Sequence, residues 1–378
     1  MTPERPRFTI GIEEEYFVVD RETRDLVDDL PKPLRDTLAH PPIGLTSPEF
    51  IRSQVEIGTP VAANMTEVAE YLATMRRFVA DTVNDHGMAI ISASTHPFAD
   101  WIQQKHTDKA RYNVLEEALQ GVVRRLLICG MHVHVGIADE DLRIELMNQV
   151  TYFLPHLLAI SGSSPFWQGE DTGLKSYRTT VFRSMPRTGL PDEFEGWSDY
   201  QRHVEVLVGT GVIEDASKLW WDIRPSSRYP TLEMRSTDIC TRVVDGLAVA
   251  ACYQSLLATL YQLRMENRRW RQYSRMLIQE NNWRAQRYGV DESLIDFGRG
   301  SLCSVADLAA ELIEIVRDEA TELGSIDHVE HIRSIVENGT SADRQRRVYE
   351  DAIAGGAESR DALNAVVDHL IAETVEGV

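Results

Sequence analysis

Three short segments of the chain alternate between apolar and polar residues, with the period of two that is typical of a strand with one buried face. Each segment carries a pair of charged or imidazole side chains on its polar side: Glu13 and Glu15 in FTIGIEEEYFVVD, His132 and His134 in CGMHVHVGI, and Glu233 and Arg235 in TLEMRS. A single strand of this kind is commonly just an exposed edge strand. Three of them favour a sheet whose polar face gathers acids, imidazoles and a guanidinium in one place.

A fourth segment, SPEFIRSQVEIGTP, carries two further acids, Glu49 and Glu56. Their spacing of seven would put them on opposite faces of a straight strand, so they can meet only if a turn or bulge intervenes or the stretch is helical. We predict a turn near Glu49 and a strand over Gln54–Ile57. Alternation also sends Glu14 to the apolar face, where a charged group needs a partner unless it lies at the rim of the sheet.

Helical spacing of apolar residues marks the remaining long segments. Helices are predicted over Val68–Val83 and Val114–Leu127, and the chain becomes strongly helical from about Val243. From about Ser304 the pattern indicates three or four amphipathic helices, broken at Gly324, Asn338-Gly339 and Gly355-Gly356. Strands first and helices last predict an α+β fold, which we divide into residues 1–300 and a helical C-terminal section over residues 301–378.

The charged composition of the chain limits the classes of molecule that it is expected to bind. The 39 basic and 59 acidic side chains give a net charge of −20 over 378 residues. Such a surface repels nucleic acid and anionic lipid, so we expect neither as a partner, although the charge is also explained by solubility alone. No signal peptide or bilayer-length apolar run is apparent, and the four scattered cysteines suggest neither a zinc site nor disulfides. We therefore expect a cytoplasmic protein; the apolar helices of the second half leave a homodimer open.

The predicted polar face has a recognisable chemistry. Several converging carboxylates would repel one another unless cations lie between them, and oxygen-rich sites with one imidazole suit Mg²⁺ or Mn²⁺ better than zinc. Arg235 offers a planar fork for two phosphate oxygens. Arg178 lies in a long Gly/Ser/Pro-rich stretch, and Arg224 and Arg228 lie in WWDIRPSSRYP. Both stretches are either binding loops or packed surface loops with solvated arginines.

Several well-known nucleotide and hydrolase motifs are missing from the sequence. There is no P-loop, no dinucleotide-binding glycine fingerprint, no His-Glu-x-x-His and no Gly-x-Ser-x-Gly. P-loop NTPases, dinucleotide dehydrogenases, zincins and serine hydrolases therefore lose support.

The motifs that are present, taken in order, resemble the bacterial carboxylate–amine ligases related to type-2 glutamate–cysteine ligase. The resemblance covers about residues 8 to 290 and rests on GIEEEY at 11–16, Glu49 with Glu56, CGMHVHVG at 129–136, SPFW at 164–167, SYR at 176–178, WWDIRP at 220–225, TLEMR at 231–235 and ENNWRA at 280–285. Each motif alone is weak, but their ordered combination is specific. The resemblance implies a curved antiparallel sheet like that of glutamine synthetase, whose polar face forms a funnel for ATP and substrate.

The resemblance also implies a role for each site residue. Glu15, Glu49 and Glu56 would hold one divalent ion, and Glu13, His132 and Glu233 the other. Arg235 would contact the transferred phosphoryl group, with Glu233 and Arg235 as the catalytic pair. The remaining residues divide between ATP (His134 and Arg228, with Arg235) and the acid substrate (Arg178, Arg224 and Tyr177).

The implied activity is ATP- and magnesium-dependent amide formation through an acyl phosphate. The expected substrates are L-glutamate, reacting through its γ-carboxyl, and L-cysteine as the amine. Four alternatives stay open: another amine, a guanidino-kinase-like phosphotransferase, a two-metal hydrolase, and a protein that binds Mg–ATP without turnover.

Overall fold

A computed structural model describes residues 5–378 and their side chains other than those of residues 110, 111 and 115. The strands are β1 Ile10–Asp20, β2 Leu45–Pro48, β3 Gln54–Gly58, β4 Met88–Ile91, β5 Met131–Gly136, β6 Phe166–Trp167, β7 Glu170–Asp171, β8 Thr188–Gly189, β9 Trp220–Trp221, β10 Ile223–Pro225, β11 Thr231–Met234, β12 Ser293–Asp296 and β13 Ser301–Ser304. The helices are α1 Lys32–Leu38, α2 Met65–Asn84, α3 Ala110–Leu119, α4 Glu140–Val150, α5 Leu154–Ala159, α6 Tyr177–Phe182, α7 Trp197–Gly209, α8 Val243–Met265, α9 Arg275–Tyr288, α10 Val305–Glu322, α11 Ile326–Glu330, α12 Ile332–Asn338, α13 Ser341–Ala354 and α14 Ser359–Thr374.

A seven-stranded sheet with antiparallel pairing forms the centre of the described chain. Its order is β10-β11-β5-β1-β3-β2, and β4 pairs with the end of β1. All three strands predicted from alternation are present, and they are neighbours: β5 lies between β1 and β11. The α+β fold class is confirmed.

The apolar face of this sheet is covered by helices α2, α4 and α8. Ile12, Val133 and Met234, one from each of the three strands, are fully buried there. Helix α8 is buried on almost all sides because α10, α11 and α12 pack against it on the other side. We expected no apolar segment long enough to cross a membrane, but α8 is long and apolar enough by length and composition. However, 89% of its most apolar stretch is buried inside the protein.

Local features of the chain explain where the two helices predicted in the first half begin or end. Helix α2 contains the predicted Val68–Val83 and begins after Asn64, whose side chain accepts a hydrogen bond from the Glu67 amide as an N-cap. The second predicted helix was too long: α3 ends at Leu119 because Gln120 has a φ of 49°, outside the range of a right-handed helix.

The C-terminal section is helical, as predicted, but contains five helices instead of three or four. The predicted breaks fall at the ends of α10, α12 and α13, and an additional break at His331 separates α11 from α12. Residue 300 lies within the β12–β13 hairpin, and the division of the chain at that residue remains a prediction.

Glu14 points away from the polar face into the core, as alternation predicts. It is fully buried and forms an ion pair with Arg76 of α2. A partner therefore exists, and Glu14 does not need the rim of the sheet.

Candidate active site

A cleft of about 360 Å³ lies on the polar face of the sheet. Every site residue predicted from the sequence lines it except Tyr177: Glu13, Glu15, Glu49, Glu56, His132, His134, Arg178, Arg224, Arg228, Glu233 and Arg235. Tyr177 instead packs its ring against Trp167, with 5.4 Å between the ring centroids. Its assignment to the substrate therefore remains a prediction that the lining of this cleft does not support.

Strand register brings these side chains together. Glu13 lies opposite His132, Glu15 lies opposite Glu56, and Glu233 lies opposite His134. Directly paired residues of an antiparallel sheet project from the same face, so the pairs share one surface. The alternation pattern alone could identify each face, but not which residues would be opposite one another.

Glu49 reaches the same surface through the predicted turn. Residues 49–53 connect β2 to β3, and this reversal lets Glu49 and Glu56 line one cleft despite their odd spacing. The strand β2 itself was not predicted, since it is an edge strand that carries Pro48 and none of its four residues is buried.

Glu15, Glu49 and Glu56 form a crowded group of carboxylates. Burial and the neighbouring Glu49 raise the pKa of Glu15 to about 8. Burial, Glu49 and Glu13 raise the pKa of Glu56 well above its usual value. The amide of Gly130, which donates to Glu15 at 2.7 Å, and the Arg178 and Arg235 cations only partly offset this rise. The three carboxylates can therefore all be ionised only if a cation lies between them. Such a group fits a hard divalent cation with oxygen ligands.

A second candidate cation site adjoins the first. Donor atoms of Glu13, His134 and Glu233 lie within 4.8 Å of one another, a set that contains His134 where the resemblance implied His132. His132 sits on the other side of Glu13, with its Nδ1 atom 3.2 Å from Glu13 and 3.4 Å from an Arg235 nitrogen. Burial and the Arg235 cation lower the pKa of His132 to about 4, so its imidazole is neutral at pH 7.

Glu233 is held by two arginines. Arg224 donates to both of its carboxylate oxygens, from Nε at 2.9 Å and from Nη2 at 3.1 Å, and Arg235 also donates to it. Burial raises the pKa of Glu233, but Arg235 and Arg224 outweigh this and hold the pKa well below its usual range. Arg224 further donates to the carbonyls of Ser217 and Leu219. Its side chain is thus largely occupied in orienting Glu233, which disfavours the predicted contact with the substrate.

Arg178 is the opposite case, a buried cation with few partners. It is 4% exposed, and Nη2 donates to the Arg235 carbonyl at 3.2 Å, whereas Nε has no hydrogen-bond partner. Within the described part of the chain no carboxylate is ion-paired with it. The guanidinium lies against Gly130, where a Cβ atom would collide with it. Glu15, Asp222 and Asp238 lie near enough to interact with its charge, but none of them forms an ion pair with it. The guanidinium therefore keeps a donor available for an anionic ligand.

One wall of the cleft was not predicted from the sequence. It is apolar and aromatic: Phe50, Tyr112, Leu126, Ile128, Phe182 and Met185. Phe182 and Met185 lie in the long Gly/Ser/Pro-rich stretch that contains Arg178, but nothing in the sequence distinguishes an apolar residue that lines a cleft from one that fills a core.

The chain matches the sequence profile of glutamate–cysteine ligase family 2 over residues 9–369. The chain belongs to this family. Among its relatives are proteins provisionally named glutamate–cysteine ligase 2. The one from Rhodospirillum rubrum is 57% identical and the alignment covers 98% of this chain and 96% of the relative. The one from Chloroflexus aurantiacus is 45% identical, with coverages of 98% and 93%. The predicted class, an ATP-dependent carboxylate–amine ligase, is confirmed.

Solved structures support the fold. Glutamate–cysteine ligase from Francisella tularensis, crystallised in complex with AMP, aligns with a TM-score of 0.69 at 14% identity over 99% of this chain and 90% of its own. A bifunctional glutathione synthetase from Pasteurella multocida aligns with a TM-score of 0.71 at 14% identity, covering 98% of this chain and 53% of its own. At such low identity the likeness extends to the fold alone.

Proposed function

We propose that this ligase joins the γ-carboxyl of L-glutamate to an amine, with L-cysteine as the first candidate, and releases ADP and phosphate. The observation that carries the proposal is the position of Arg178. A buried guanidinium without an ion pair lines the same cleft as two groups of carboxylates suited to cations. Glutamate has a second carboxylate that Arg178 can bind while the γ-carboxyl reacts.

Two divalent ions, Mg²⁺ or Mn²⁺, fit the carboxylate groups. Glu15, Glu49 and Glu56 would hold one, and Glu13 and Glu233, with His132 or His134, would hold the other. When bound, such ions offset the negative charge of ATP phosphates. The carboxylate-rich cleft in a protein of net charge −20 makes that compensation necessary for any nucleotide to bind there.

The other side chains of the cleft would bind the phosphates and orient the substrate. Arg235 lies between Glu233 and His132, where its guanidinium could neutralise charge on the transferred phosphoryl group. Arg224 keeps Glu233 ionised and oriented. His134 and Arg228 line the cleft on the side of the β10–β11 connection and are available to the ATP phosphates. Arg178 would fix glutamate so that its γ-carboxyl meets the γ-phosphate at a constant distance.

Phosphorylation of the γ-carboxyl gives an acyl phosphate, in which phosphate is a good leaving group. Attack by the amine nitrogen on the acyl carbon then forms the amide bond and breaks the bond to phosphate, while the amine loses a proton. The apolar wall containing Phe182 and Met185 suits an amine with a small uncharged side chain. We place this chemistry in the cytoplasm, where ATP and reduced cysteine are both available.

The test is an ADP-release assay with L-glutamate fixed and the amine varied among cysteine, alanine and 2-aminobutyrate, with products identified by mass. We expect glutamate-dependent ADP release and γ-glutamylcysteine as the main product. A thiol in an apolar site gains only about 1–3 kcal/mol over close analogues, so some turnover of 2-aminobutyrate is expected as well. If only another amine reacts, the cysteine assignment is wrong. A parallel reaction in which a guanidino compound replaces glutamate tests the phosphotransferase alternative, which a phosphorylated guanidino product would indicate.

A further inference from the structure

Asp238 lies four residues beyond the end of β11, the strand that carries Glu233, and it does not line the cleft. It is fully buried, and its carboxylate accepts three hydrogen bonds. Oδ2 accepts from the Ser163 amide at 2.9 Å and the Ser164 hydroxyl at 2.7 Å, and Oδ1 accepts from the Ser176 hydroxyl at 2.7 Å. One side chain thus joins two loop segments that are more than ten residues apart.

These two segments hold Arg178. The backbone amide of Arg178 donates to the Ser164 hydroxyl at 3.1 Å, and Ser176 lies two residues before it. Ser164 therefore connects the Asp238 carboxylate directly to the start of helix α6, from which Arg178 projects. Since α6 has only six residues and no side-chain N-cap, these contacts substitute for the rigidity that a longer helix would have.

The backbone on which the Arg178 side chain packs is also paired with Asp238. The backbones of Gly130 and Asp238 are paired by an isolated antiparallel bridge, and Gly130 is the residue against which the guanidinium packs. Asp238 therefore fixes both the backbone that carries Arg178 and the surface on which its head group rests. Burial raises the pKa of Asp238 and the Arg178 cation opposes that rise, which agrees with their proximity.

We propose that Asp238 is a positioning residue for the acid substrate: through Ser164, Ser176 and Gly130 it sets the place of the Arg178 guanidinium. This inference rests on the proposed function, in which Arg178 binds the carboxylate of glutamate. A buried carboxylate with three donors would also stabilise the loops, so the experiment must separate a general loss of structure from a specific loss of acid binding.

The experiment measures KM for L-glutamate and for ATP separately, by ADP release, in Asp238→Asn and Ser164→Ala. Asn keeps the shape and removes the charge, whereas Ser164→Ala leaves the Asp238 carboxylate in place and removes the hydroxyl that links it to the Arg178 amide. We expect KM for glutamate to rise about tenfold or more, with KM for ATP within about twofold of the parent value, because a small misplacement of a binding group costs up to about 10²-fold. The matched control is Asp245→Asn, a buried aspartate paired with His331 and Arg344 outside the cleft, which should change neither KM.

A double-mutant cycle with Arg178→Lys makes the test specific. If Asp238 acts through Arg178, Asp238→Asn should add little to KM for glutamate once Arg178 has been replaced. Independent, multiplicative effects would overturn the proposal, and so would an unchanged KM for glutamate or equal rises in both KM values. Should Asp238→Asn fail to fold, Ser164→Ala decides by the same criteria. Failure of the proposed function can be recognised separately in proteins that keep Asp238. The premise of the inference is wrong if the parent protein shows no glutamate-dependent ADP release. It is also wrong if the Arg178→Lys variant has a normal KM for glutamate.

Discussion

Arg76 and Glu14 form a completely buried, two-pronged ion pair behind the active-site face of the sheet. The Nε–Oε2 distance is 2.8 Å and the Nη2–Oε1 distance is 2.7 Å. The other N–H groups of Arg76 donate to the carbonyls of Cys240, Thr241 and Thr374. The pair thereby connects β1, which carries Glu13 and Glu15, to helix α2, to the segment before α8 and to the end of α14.

Replacing Arg76 should destabilise the protein strongly. Arg76→Met leaves the Glu14 carboxylate buried without a counter-charge, and we expect a loss of about 3–5 kcal/mol in the free energy of unfolding, measured by urea denaturation. The double variant Glu14→Leu/Arg76→Met should recover part of that loss, because it removes the unpaired charge but still leaves the carbonyls of Cys240 and Thr241 without their donor. The control is Arg35→Met, which breaks an exposed 2.8 Å pair with Asp29 and should cost less than about 1 kcal/mol. A similarly small cost for Arg76→Met would contradict this description of the core.

Gly130→Ala should weaken binding of the acid substrate. The added Cβ would overlap the guanidinium of Arg178, so Arg178 must move away from its position in the cleft. We expect KM for glutamate to rise about tenfold, with a smaller effect on KM for ATP, in steady-state ADP-release assays. Gly209→Ala is the control, since a Cβ there meets no atom within 4 Å. An unchanged KM for glutamate in Gly130→Ala would show that Arg178 does not need this position.

Binding of Mg²⁺ should stabilise the protein more at higher pH. Burial and Glu49 raise the pKa of Glu15 to about 8 in the folded protein, whereas the ordinary value is 4.5. Between these values the folded state retains a proton that the unfolded chain has lost, so the free energy of unfolding falls as pH rises. A divalent ion replaces the proton and removes this penalty.

The measurement is the shift in melting temperature on adding MgCl₂ to the EDTA-treated protein, at about pH 5.5 and about pH 8. We expect the larger shift at the higher pH, and a smaller difference between the two pH values in Glu15→Gln, which has no proton to replace. A Mg²⁺ shift that is independent of pH would argue against an ion at Glu15.

Alternation predicted the parts of the fold in which one face of a strand is buried. Glu13, Glu15, His132 and Glu233 were placed on polar faces because their neighbours in sequence are regularly apolar, and the sheet brings them together. The partner of Glu14 could not be predicted, since Arg76 is 62 residues away and nothing local connects the two.

The different roles of the arginines could not be predicted from the sequence either. Arg178 and Arg224 look alike in the chain, each in a loop rich in aromatic residues. Only the folded arrangement shows that Arg224 is ion-paired with Glu233, whereas Arg178 forms no ion pair with any residue that the structure describes and its Nε atom has no hydrogen-bond partner. The same holds for Tyr177, which the resemblance assigned to the substrate: its ring packs against Trp167, and it is not among the residues that line the cleft.

The central claim is that the γ-carboxyl of glutamate is phosphorylated by ATP before the amine attacks. The most direct measurement uses glutamate labelled with ¹⁸O in the γ-carboxyl, together with ATP, Mg²⁺ and cysteine, and follows the label by mass spectrometry. We expect one labelled oxygen in the released phosphate for each amide formed, with ADP as the only nucleotide product. Unlabelled phosphate, or the appearance of AMP and pyrophosphate, would contradict the acyl-phosphate account.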